Sequence, residues 1–238
     1  MFQRILLTTS LLLIGTIGHC QTVNEVLQQM GKQYSAARPF QYHSEYTLYK
    51  NAESKKIEQS YKGIFMKNAA NEIYLKIDQT EILNSKTVNI KISHPEKAIL
   101  LSDPIRNYFG SLDIKPLLEF CEIESFKDCK TYWEITLTAK NYSSLPYSRI
   151  IIQVSRKFFL QKSIFYYSST VNFSKDYRMP KPSYPRLEVT NTNFSRKAVN
   201  ATLFTSPYYF TSCGKNICVL ASRLKQYQVI DQRNISNK

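Results

Sequence analysis

The apolar residues that follow residue 22 fall first at helical intervals. The apolar positions of this segment are Val23, Val26, Leu27, Met30 and Tyr34. Residues three and four positions apart lie on one face of a helix, so this spacing predicts an amphipathic helix over residues 22–37. Thr22 at its start and Glu25 three residues later have the spacing of a capping box. The pattern stops before Pro39, which is typical of a helix end.

Beyond the helix the apolar positions alternate with polar ones, which is the pattern of strands that bury one face. The alternating segments are 40–48, 57–66, 73–77, 88–92, 98–101, 131–138, 149–154, 158–167 and 187–194. Short polar stretches separate the first five at intervals of roughly ten residues, as in an antiparallel meander. Residues 103–128 interrupt the alternation, and Pro116 favours the first turn of a short helix within 104–121. The sequence therefore predicts an α+β fold with a curved antiparallel meander of roughly 10 strands.

The first twenty residues have the pattern of a secretory signal peptide. Arg4 supplies a positive charge, residues 5–17 form an apolar stretch interrupted only by Thr, Ser and Gly, and small residues lie one and three positions before Gln21. This pattern predicts cleavage before Gln21 and a periplasmic protein. The alternative is an outer-membrane lipoprotein anchored at Cys20, which is disfavoured because His19, directly before the cysteine, is not small.

Positive charge is concentrated in the second half of the chain. Residues 140–238 contain 16 of the 32 Lys and Arg residues but only 3 of the 18 Asp and Glu residues. Such a field favours an anionic partner, with Arg156, Lys157 and Lys162 as candidate contacts on a basic surface. The alternative is a basic surface that only keeps the protein soluble. A nucleic-acid partner is disfavoured because the signal peptide directs the chain to the secretory pathway.

Four cysteines follow the predicted cleavage site, and they are Cys121, Cys129, Cys213 and Cys218. An even number in an oxidising compartment favours two disulfides. Three connectivities are open. The pairs Cys121–Cys129 and Cys213–Cys218 demand least from the fold, because each closes a short loop. A four-cysteine zinc site is the competing interpretation, which is disfavoured because neither spacing is that of a zinc knuckle.

The sequence lacks the motifs of common enzymes. It has two histidines after residue 20, His43 on the polar side of a predicted strand and His94 before a proline. No G-x-S-x-G, H-E-x-x-H, P-loop or G-x-G-x-x-G motif occurs. Carboxylates on adjacent predicted strands could meet in space, but a solvated sheet face explains them more simply; they are Glu45, Glu58, Glu72 and Asp78. We therefore predict a protein that is not an enzyme, with no catalytic residues, no cofactor and no metal.

Several segments occur in an order that is also found in a known family. They are FQYHSEYTL at 40–48, YKGIFMK at 61–67, IYLKI at 73–77, NSKT at 84–87, WEITLT at 133–138, IIIQV at 150–154, FLQKSIFY at 159–166 and LF at 203–204. In this order the chain resembles the periplasmic outer-membrane lipoprotein carriers, the LolA-like family, as a divergent member. The resemblance implies an antiparallel half-barrel, lidded by the N-terminal helix and short helices, whose concave apolar face holds acyl chains. It divides the chain into a signal peptide at 1–20, a carrier-like domain at 21–206 and a C-terminal addition at 207–238.

The resemblance and the alternation together give a set of candidate ligand-contacting residues on the concave face. They are Phe40, Tyr42, Tyr46, Leu48, Ile73, Leu75, Ile77, Val88, Ile90, Trp133, Ile135 and Leu137. The first hypothesis is a monomeric carrier that binds a lipid or lipoprotein acyl chain there and contacts the outer membrane transiently. The second is a non-enzymatic cell-envelope interaction module, with a filled interior, that docks an anionic partner through its basic C-terminal half.

The mass of the protein isolated from a periplasmic extract tests the predicted cleavage. We expect intact-mass spectrometry to give a chain that begins at Gln21, because alanine-like small residues occupy the positions that signal peptidase reads. A Cys20→Ala control should be cleaved at the same place, since alanine is also small. A diacylglyceryl group on a chain that begins at Cys20 would contradict the prediction and indicate a tethered protein.

Overall fold

The structure is a computed structural model that describes residues 21–105, 118–176, 178–213 and 218–233. The predicted signal peptide at 1–20 and most of the predicted short-helix region at 104–121 lie outside these residues. Residues 118–120, which are described, are helical. No helix within the described ranges is long and apolar enough to cross a membrane.

The predicted N-terminal helix is present as α1, Val23–Ser35. The Thr22 backbone N–H donates to the Glu25 carboxylate at 2.8 Å, and the Thr22 hydroxyl accepts from the Glu25 N–H at 3.3 Å. These two bonds form the predicted capping box. Val26, Met30 and Tyr34 lie on one face of the helix and are fully buried. The helix therefore has a single apolar face, which packs against the sheet.

Within the described residues, twelve strands form one sheet and four short strands form two small hairpins. The strands are β1 (Phe40–Tyr49), β2 (Ile57–Lys67), β3 (Ile73–Ile77), β4 (Thr80–Asn84), β5 (Asn89–Ser93), β6 (Ala98–Ser102), β7 (Cys121–Asp128), β8 (Tyr132–Ala139), β9 (Tyr147–Ser155), β10 (Leu160–Tyr167), β11 (Val171–Asn172), β12 (Pro182–Ser183), β13 (Arg186–Ser195), β14 (Phe210–Cys213), β15 (Cys218–Leu220) and β16 (Gln228–Asp231). Short 3₁₀ turns lie at Ala201–Phe204, Ser206–Tyr208 and Ser222–Leu224.

The strand order in the large sheet is β16-β6-β5-β4-β3-β2-β1-β13-β10-β9-β8-β7. Every neighbouring pair is antiparallel except β16 and β6, which are parallel. The sheet is open, since its two edge strands β16 and β7 do not pair with each other. The predicted α+β class with an open antiparallel half-barrel is therefore confirmed.

Three strands of the sheet are absent from the predicted segments. The strand β4 follows β3 after only two residues, with Asp78 in a left-handed conformation (φ 49°), so no long polar stretch marks the turn. The edge strand β7 exposes most of its side chains and therefore lacks a regular apolar alternation. The edge strand β16 is short and pairs with β6, which lies far away in the sequence.

The two faces of the sheet carry separate cores. Side chains of directly opposed residues on neighbouring strands lie on the same face. Tyr42, Phe65 and Leu75 are connected in this way and define what we call the inner face. The apolar side of α1 packs on the inner face. Tyr74 and Leu83 oppose each other on the other side of the sheet, which we call the outer face.

The C-terminal segment covers part of the outer face. The buried residues of this outer core are Leu83, Ile90, Ile92, Ile99, Leu101, Tyr209, Phe210 and Leu224. A polar network adjoins it, because buried Glu81 lies 2.7 Å from His94 Nε2, and His94 Nδ1 lies 2.7 Å from the Tyr227 hydroxyl. The Arg223 guanidinium lies 3.5 Å from the second Glu81 oxygen. The segment beyond residue 206, as far as residue 233, is therefore packed into the same fold.

Cys121 and Cys129 are free thiols, so the predicted disulfide between them is wrong. Cys121 begins β7 and Cys129 follows its last residue, and a strand of this length spans about 26 Å at about 3.3 Å per residue. A disulfide requires Cα atoms within about 7 Å of each other. Cys218 is disulfide-bonded, and Cys213 lies directly opposite it across the β14–β15 hairpin. This register favours the Cys213–Cys218 bond, which stays a prediction because the Cys213 side chain is not described.

Alkylation of the folded protein tests the state of these two thiols. We expect iodoacetamide to modify Cys129 first, because Cys129 is partly exposed, whereas Cys121 is buried and its burial raises the pKa of its thiol. Peptide mass spectrometry measures the two rates, and unfolding in urea provides the control in which both residues react alike. A peptide pair joined through Cys121 and Cys129 under non-reducing conditions would contradict this assignment.

Candidate functional site

One end of the inner face is closed by aromatic side chains beneath α1. The Phe40 ring stacks on Phe159 and Phe194, with ring centres 5.4 and 6.1 Å away, and Tyr34 meets its edge at 5.1 Å. The Tyr42 ring stacks on the Phe65 ring of β2, with ring centres 4.8 Å apart. Rings at these separations are in direct contact. This end of the sheet is therefore a packed core, which we call the closed end.

Lys67 fixes the C-terminal end of α1 to the sheet. Its side chain is fully buried at the end of β2. The Lys67 Nζ donates to the carbonyl oxygens of Tyr34 at 2.7 Å and Ala36 at 2.5 Å, and to Asn71 Oδ1 at 3.0 Å. An ammonium has three N–H donors, so these three oxygens satisfy it. The negative end of the helix dipole adds to the attraction.

Further contacts hold the same end of the helix. The Leu160 N–H donates to the Tyr34 hydroxyl at 3.1 Å, and burial raises the pKa of this phenol well above its ordinary value. The Arg196 guanidinium donates to the side chain of Gln33 and lies 5.2 Å from the centre of the Phe40 ring. Burial is the largest cause that lowers the pKa of Lys67, to about 8, and the charge of Arg196 acts in the same direction.

The other end of the inner face is apolar but only half covered. Its partly buried side chains are Tyr46, Leu48, Leu75, Ile77, Ile82, Phe165, Leu187 and Val189. Strand register places all eight on the inner face, and we call them the apolar floor. Tyr61, directly opposite Tyr46, is 42% exposed. The closed end and the apolar floor together form one apolar surface that is buried at one end and partly accessible at the other.

Gly63 allows the Tyr46 ring to lie across the sheet. A Cβ atom at this position would come within 3.2 Å of the Tyr46 ring and 2.9 Å of the Lys76 carbonyl oxygen. Any larger residue at position 63 would therefore displace the ring or the neighbouring strand. The glycine is required here for this close approach.

A buried polar pair lies between the closed end and the apolar floor. The Ser44 hydroxyl donates to Asn191 Oδ1 at 2.7 Å, and Asn191 Nδ2 donates to the Leu160 carbonyl at 3.0 Å. Both residues are buried on the inner face. Because their polar atoms form hydrogen bonds with each other and with the backbone, burying them in an otherwise apolar face costs little free energy. They mark the boundary at which the packed core ends.

An open groove of about 570 Å³ adjoins the far end of the floor. It is lined by Asn51, Ala52, Glu53, Ser148, Tyr166, Tyr167, Ser168, Ser183, Tyr184 and Pro185. The Tyr147 ring connects the two regions, since its centre lies 4.9 Å from Phe165 of the floor and 5.0 Å from Tyr167 of the groove. Apolar and hydroxyl-bearing side chains thus meet at this end of the sheet.

The twelve residues predicted to contact a ligand divide into three groups. Six are buried at or near the closed end, and they are Phe40, Tyr42, Ile73, Trp133, Ile135 and Leu137. Four belong to the apolar floor, and they are Tyr46, Leu48, Leu75 and Ile77. Val88 and Ile90 pack in the outer core instead, so their assignment to the concave face is wrong. Ile90 opposes Leu83, which opposes Tyr74, and this register carries Ile90 to the outer face.

The predicted basic contacts are partly neutralised by acidic neighbours. The Arg156 guanidinium pairs with Asp128 and lies 4.3 Å from the centre of the Trp133 ring. Lys162 Nζ lies 2.7 Å from a Glu188 oxygen. Lys157, in contrast, is exposed. Two of the three predicted contacts therefore have an acidic neighbour and the third is exposed, and their role in binding an anionic partner stays a prediction.

The two described histidines lie apart from the apolar floor. His43 is exposed on the outer face, where Asn193 Nδ2 lies 3.4 Å from its Nδ1. His94 belongs to the network that joins the C-terminal segment to the sheet. Among the described residues, no group of three or more His, Cys, Asp or Glu side chains could hold a metal ion.

These features define a class of protein, namely an open antiparallel half-barrel with a helix on its inner face. No family model and no curated protein matches the sequence. Several solved structures are similar to it in fold.

Three of these structures illustrate the likeness. An uncharacterized conserved protein from Thermus thermophilus has a TM-score of 0.49 at 8% identity, with 89% of this chain and 100% of that chain covered. A LolA superfamily protein from Nitrosomonas europaea has a TM-score of 0.37 at 12% identity, with 79% and 99% covered. A putative outer membrane lipoprotein-sorting protein domain from Vibrio parahaemolyticus has a TM-score of 0.35 at 11% identity, with 77% and 96% covered. These likenesses are likenesses of fold alone.

Replacement of Lys67 tests the role of this residue in holding α1. We expect Lys67→Met to lower the free energy of unfolding by about 2–4 kcal/mol, because three buried oxygens lose their donor. Urea unfolding measures the change. Lys62→Met is the matched control, because Lys62 lies on the same strand, is exposed on the outer face and should change stability by less than about 0.5 kcal/mol.

The pH dependence of this stability difference is a second measure of the same interaction. The pKa of Lys67 in the folded protein, about 8, is below its ordinary value of 10.5, so the unfolded chain binds more protons between these values. The stability of the parent relative to Lys67→Met should therefore rise as the pH increases from about 8 towards 10.5. A Lys67→Met variant as stable as the parent at every pH would show that the buried ammonium does not hold the helix.

Proposed function

We propose that this protein is a periplasmic carrier that binds an acyl chain of a lipid or lipoprotein on its apolar floor. The observation that carries the proposal is the floor itself, which continues the packed core but leaves Tyr46, Leu48, Leu75 and Ile77 only partly buried. Partly exposed apolar side chains on a concave face lose contact with water when an apolar ligand covers them. The fold likeness to LolA superfamily and lipoprotein-sorting structures is compatible with this function.

The size of the hydrophobic effect makes such binding feasible without any charged contact. Burial of one methylene contributes about 0.8 kcal/mol, so an acyl chain of roughly 14 to 18 carbons contributes about 10 kcal/mol before the costs of association. Ordering the ligand removes part of this gain. The free energy of binding that remains allows a ligand to be held during diffusion and released at an acceptor.

The closed end sets the depth to which the ligand enters. The rings stacked around Phe40 bury it completely, since Phe40 is 0% exposed. The ligand in this proposal therefore lies between the Ser44–Asn191 pair and the groove beside Tyr167. Its polar end lies at the groove, where Ser148, Ser168 and Ser183 supply hydroxyl groups. The proposed carrier is a monomer, and the compartment follows from the predicted signal peptide.

Native mass spectrometry of protein purified without detergent tests this proposal. We expect a fraction of the protein to carry an additional mass that organic solvent extracts and that fragments as a lipid. Protein stripped of lipid should then bind a fluorescent fatty acid. Bare protein that also fails to bind the fluorescent fatty acid would contradict the carrier function and favour an interior filled by side chains.

Two matched substitutions locate the binding surface. Ile77→Gln places a polar group on the floor, and we expect it to weaken fatty-acid binding by about tenfold, which corresponds to about 1.4 kcal/mol. Ile64→Gln is the control, because Ile64 is also partly buried and lies on the neighbouring strand but on the outer face. Urea unfolding checks that both variants fold. Equal losses in the two variants would place the ligand elsewhere.

A further inference from the structure

The chain between β10 and β13 leaves the large sheet and forms a small projecting hairpin. Its strands β11 and β12 pair through Val171 with Ser183 and through Asn172 with Pro182. We call the described residues 171–176 and 178–184 the arm. The Tyr167 N–H donates to the Pro185 carbonyl at 3.1 Å, and this bond joins the two chains at the base of the arm.

Hydrogen bonds within the arm give it a defined shape. Asn172 Oδ1 accepts from the Ser174 and Lys181 N–H groups, both at 2.9 Å. The Phe173 N–H donates to the Lys181 carbonyl at 3.2 Å, and the Met179 N–H donates to the Asp176 carbonyl at 3.1 Å. These hydrogen bonds therefore give the backbone of the arm a defined conformation.

Large apolar side chains of the arm face solvent. Met179 is 65% exposed, Tyr184 is 59% exposed and Val171 is 42% exposed. Exposed apolar groups that lie together mark a surface that contacts another apolar phase or partner. A structured hairpin that carries three of them differs from the outer face of β7, β8, β10 and β13, where ion pairs occur.

The same hairpin carries an excess of positive charge. Lys175, Arg178 and Lys181 are exposed, and among the described residues no acidic side chain lies within ion-pair distance of any of them. The Asp176 carboxylate, the one acidic group of the described arm, accepts from the Arg178 backbone N–H at 2.9 Å. Arg156 and Lys162 on the sheet are, in contrast, paired with carboxylates. The cations of the arm are therefore available to an anionic partner.

We propose that the arm docks the protein on an anionic lipid bilayer surface. Lysine and arginine bind the anionic headgroup layer, and tyrosine and methionine bury their apolar parts at the boundary of the hydrocarbon. Addition of a partner strand to the β12 edge is disfavoured because Pro180 and Pro182 have no N–H to donate. The arm therefore presents side chains to a surface, and its net positive charge complements an anionic one.

The position of the arm connects this surface to the apolar floor. Ser183 and Tyr184 of the arm line the open groove that adjoins Tyr167 and, through Tyr147, the floor residue Phe165. A bilayer that contacts the arm lies next to the accessible end of the inner face. Docking itself does not require the floor to hold a ligand, so either proposal can fail while the other holds.

Flotation of the full mature chain with lipid vesicles tests the docking proposal. We expect binding to vesicles of phosphatidylcholine mixed with anionic phosphatidylglycerol, weak binding to phosphatidylcholine alone, and a loss of binding as the salt concentration rises. The variant Lys175→Glu with Arg178→Glu should bind the anionic vesicles at least about 30-fold more weakly, at about a factor of five for each cation removed. Met179→Ser with Tyr184→Ser should also weaken binding, and it leaves the charge unchanged.

Matched exposed lysines provide the control for charge. The variant Lys157→Glu with Lys197→Glu changes the net charge by the same amount outside the arm, at two exposed residues, and should retain binding. Equal losses in this control would assign the binding to the overall positive field and overturn a role for the arm. Binding to neither type of vesicle would also overturn the proposal and favour a protein partner for the arm. Native mass spectrometry of the arm variants should still detect lipid, which separates failure of docking from failure of ligand binding.

Discussion

The position of α1 on the inner face depends on the buried ammonium of Lys67. A charge enclosed in protein is unfavourable unless it is matched, and here two backbone carbonyls at the helix end and one amide oxygen match its three donors. The same contacts satisfy carbonyl groups at the C-terminal end of the helix, which otherwise lack partners. The Lys67 side chain thus satisfies both its own buried charge and the carbonyl groups at the helix end. It lies at the end of the sheet where the aromatic core is packed. The apolar floor lies at the opposite end of the inner face from these contacts.

The two faces of the sheet are buried by different parts of the chain. The helix that precedes β1 covers the inner face, while the segment beyond residue 206 covers the outer face of β3 to β6 and adds the edge strand β16. The outer core thus adds buried contacts behind the part of the apolar floor that lies on β3 and β4, where the inner face is only partly covered. The buried Glu81 and its neighbours His94 and Arg223 bind the C-terminal segment to the sheet. The described part of the segment beyond residue 206 therefore supports the sheet from its outer face.

The sequence allowed the helix, its capping box and most strands to be predicted, because local spacing determines these features. Alternation shows which residues of a strand share a face, but the face itself depends on register with neighbouring strands. Val88 and Ile90 were therefore assigned to the wrong side, since β4 and β5 have buried residues on both faces. Lys67, Gly63 and the Ser44–Asn191 pair were missed as determinants of the site. Each of them acts through contacts between strands or between a strand and α1, and such contacts leave no periodic signal in a single sequence.

The distribution of charge shows why composition alone predicted a broader basic surface than the fold contains. The basic excess of residues 140–238 is real, yet Arg156, Lys162 and Arg186 contact carboxylates that lie close to them in the folded sheet. Pairing of this kind reduces the field at a distance, because opposite charges a few ångströms apart act as dipoles that salt and water screen. The cations that project from the sheet without a carboxylate retain their field. The partner chemistry of a basic half therefore depends on which of its cations the fold leaves without a carboxylate, and the three exposed cations of the arm are among them.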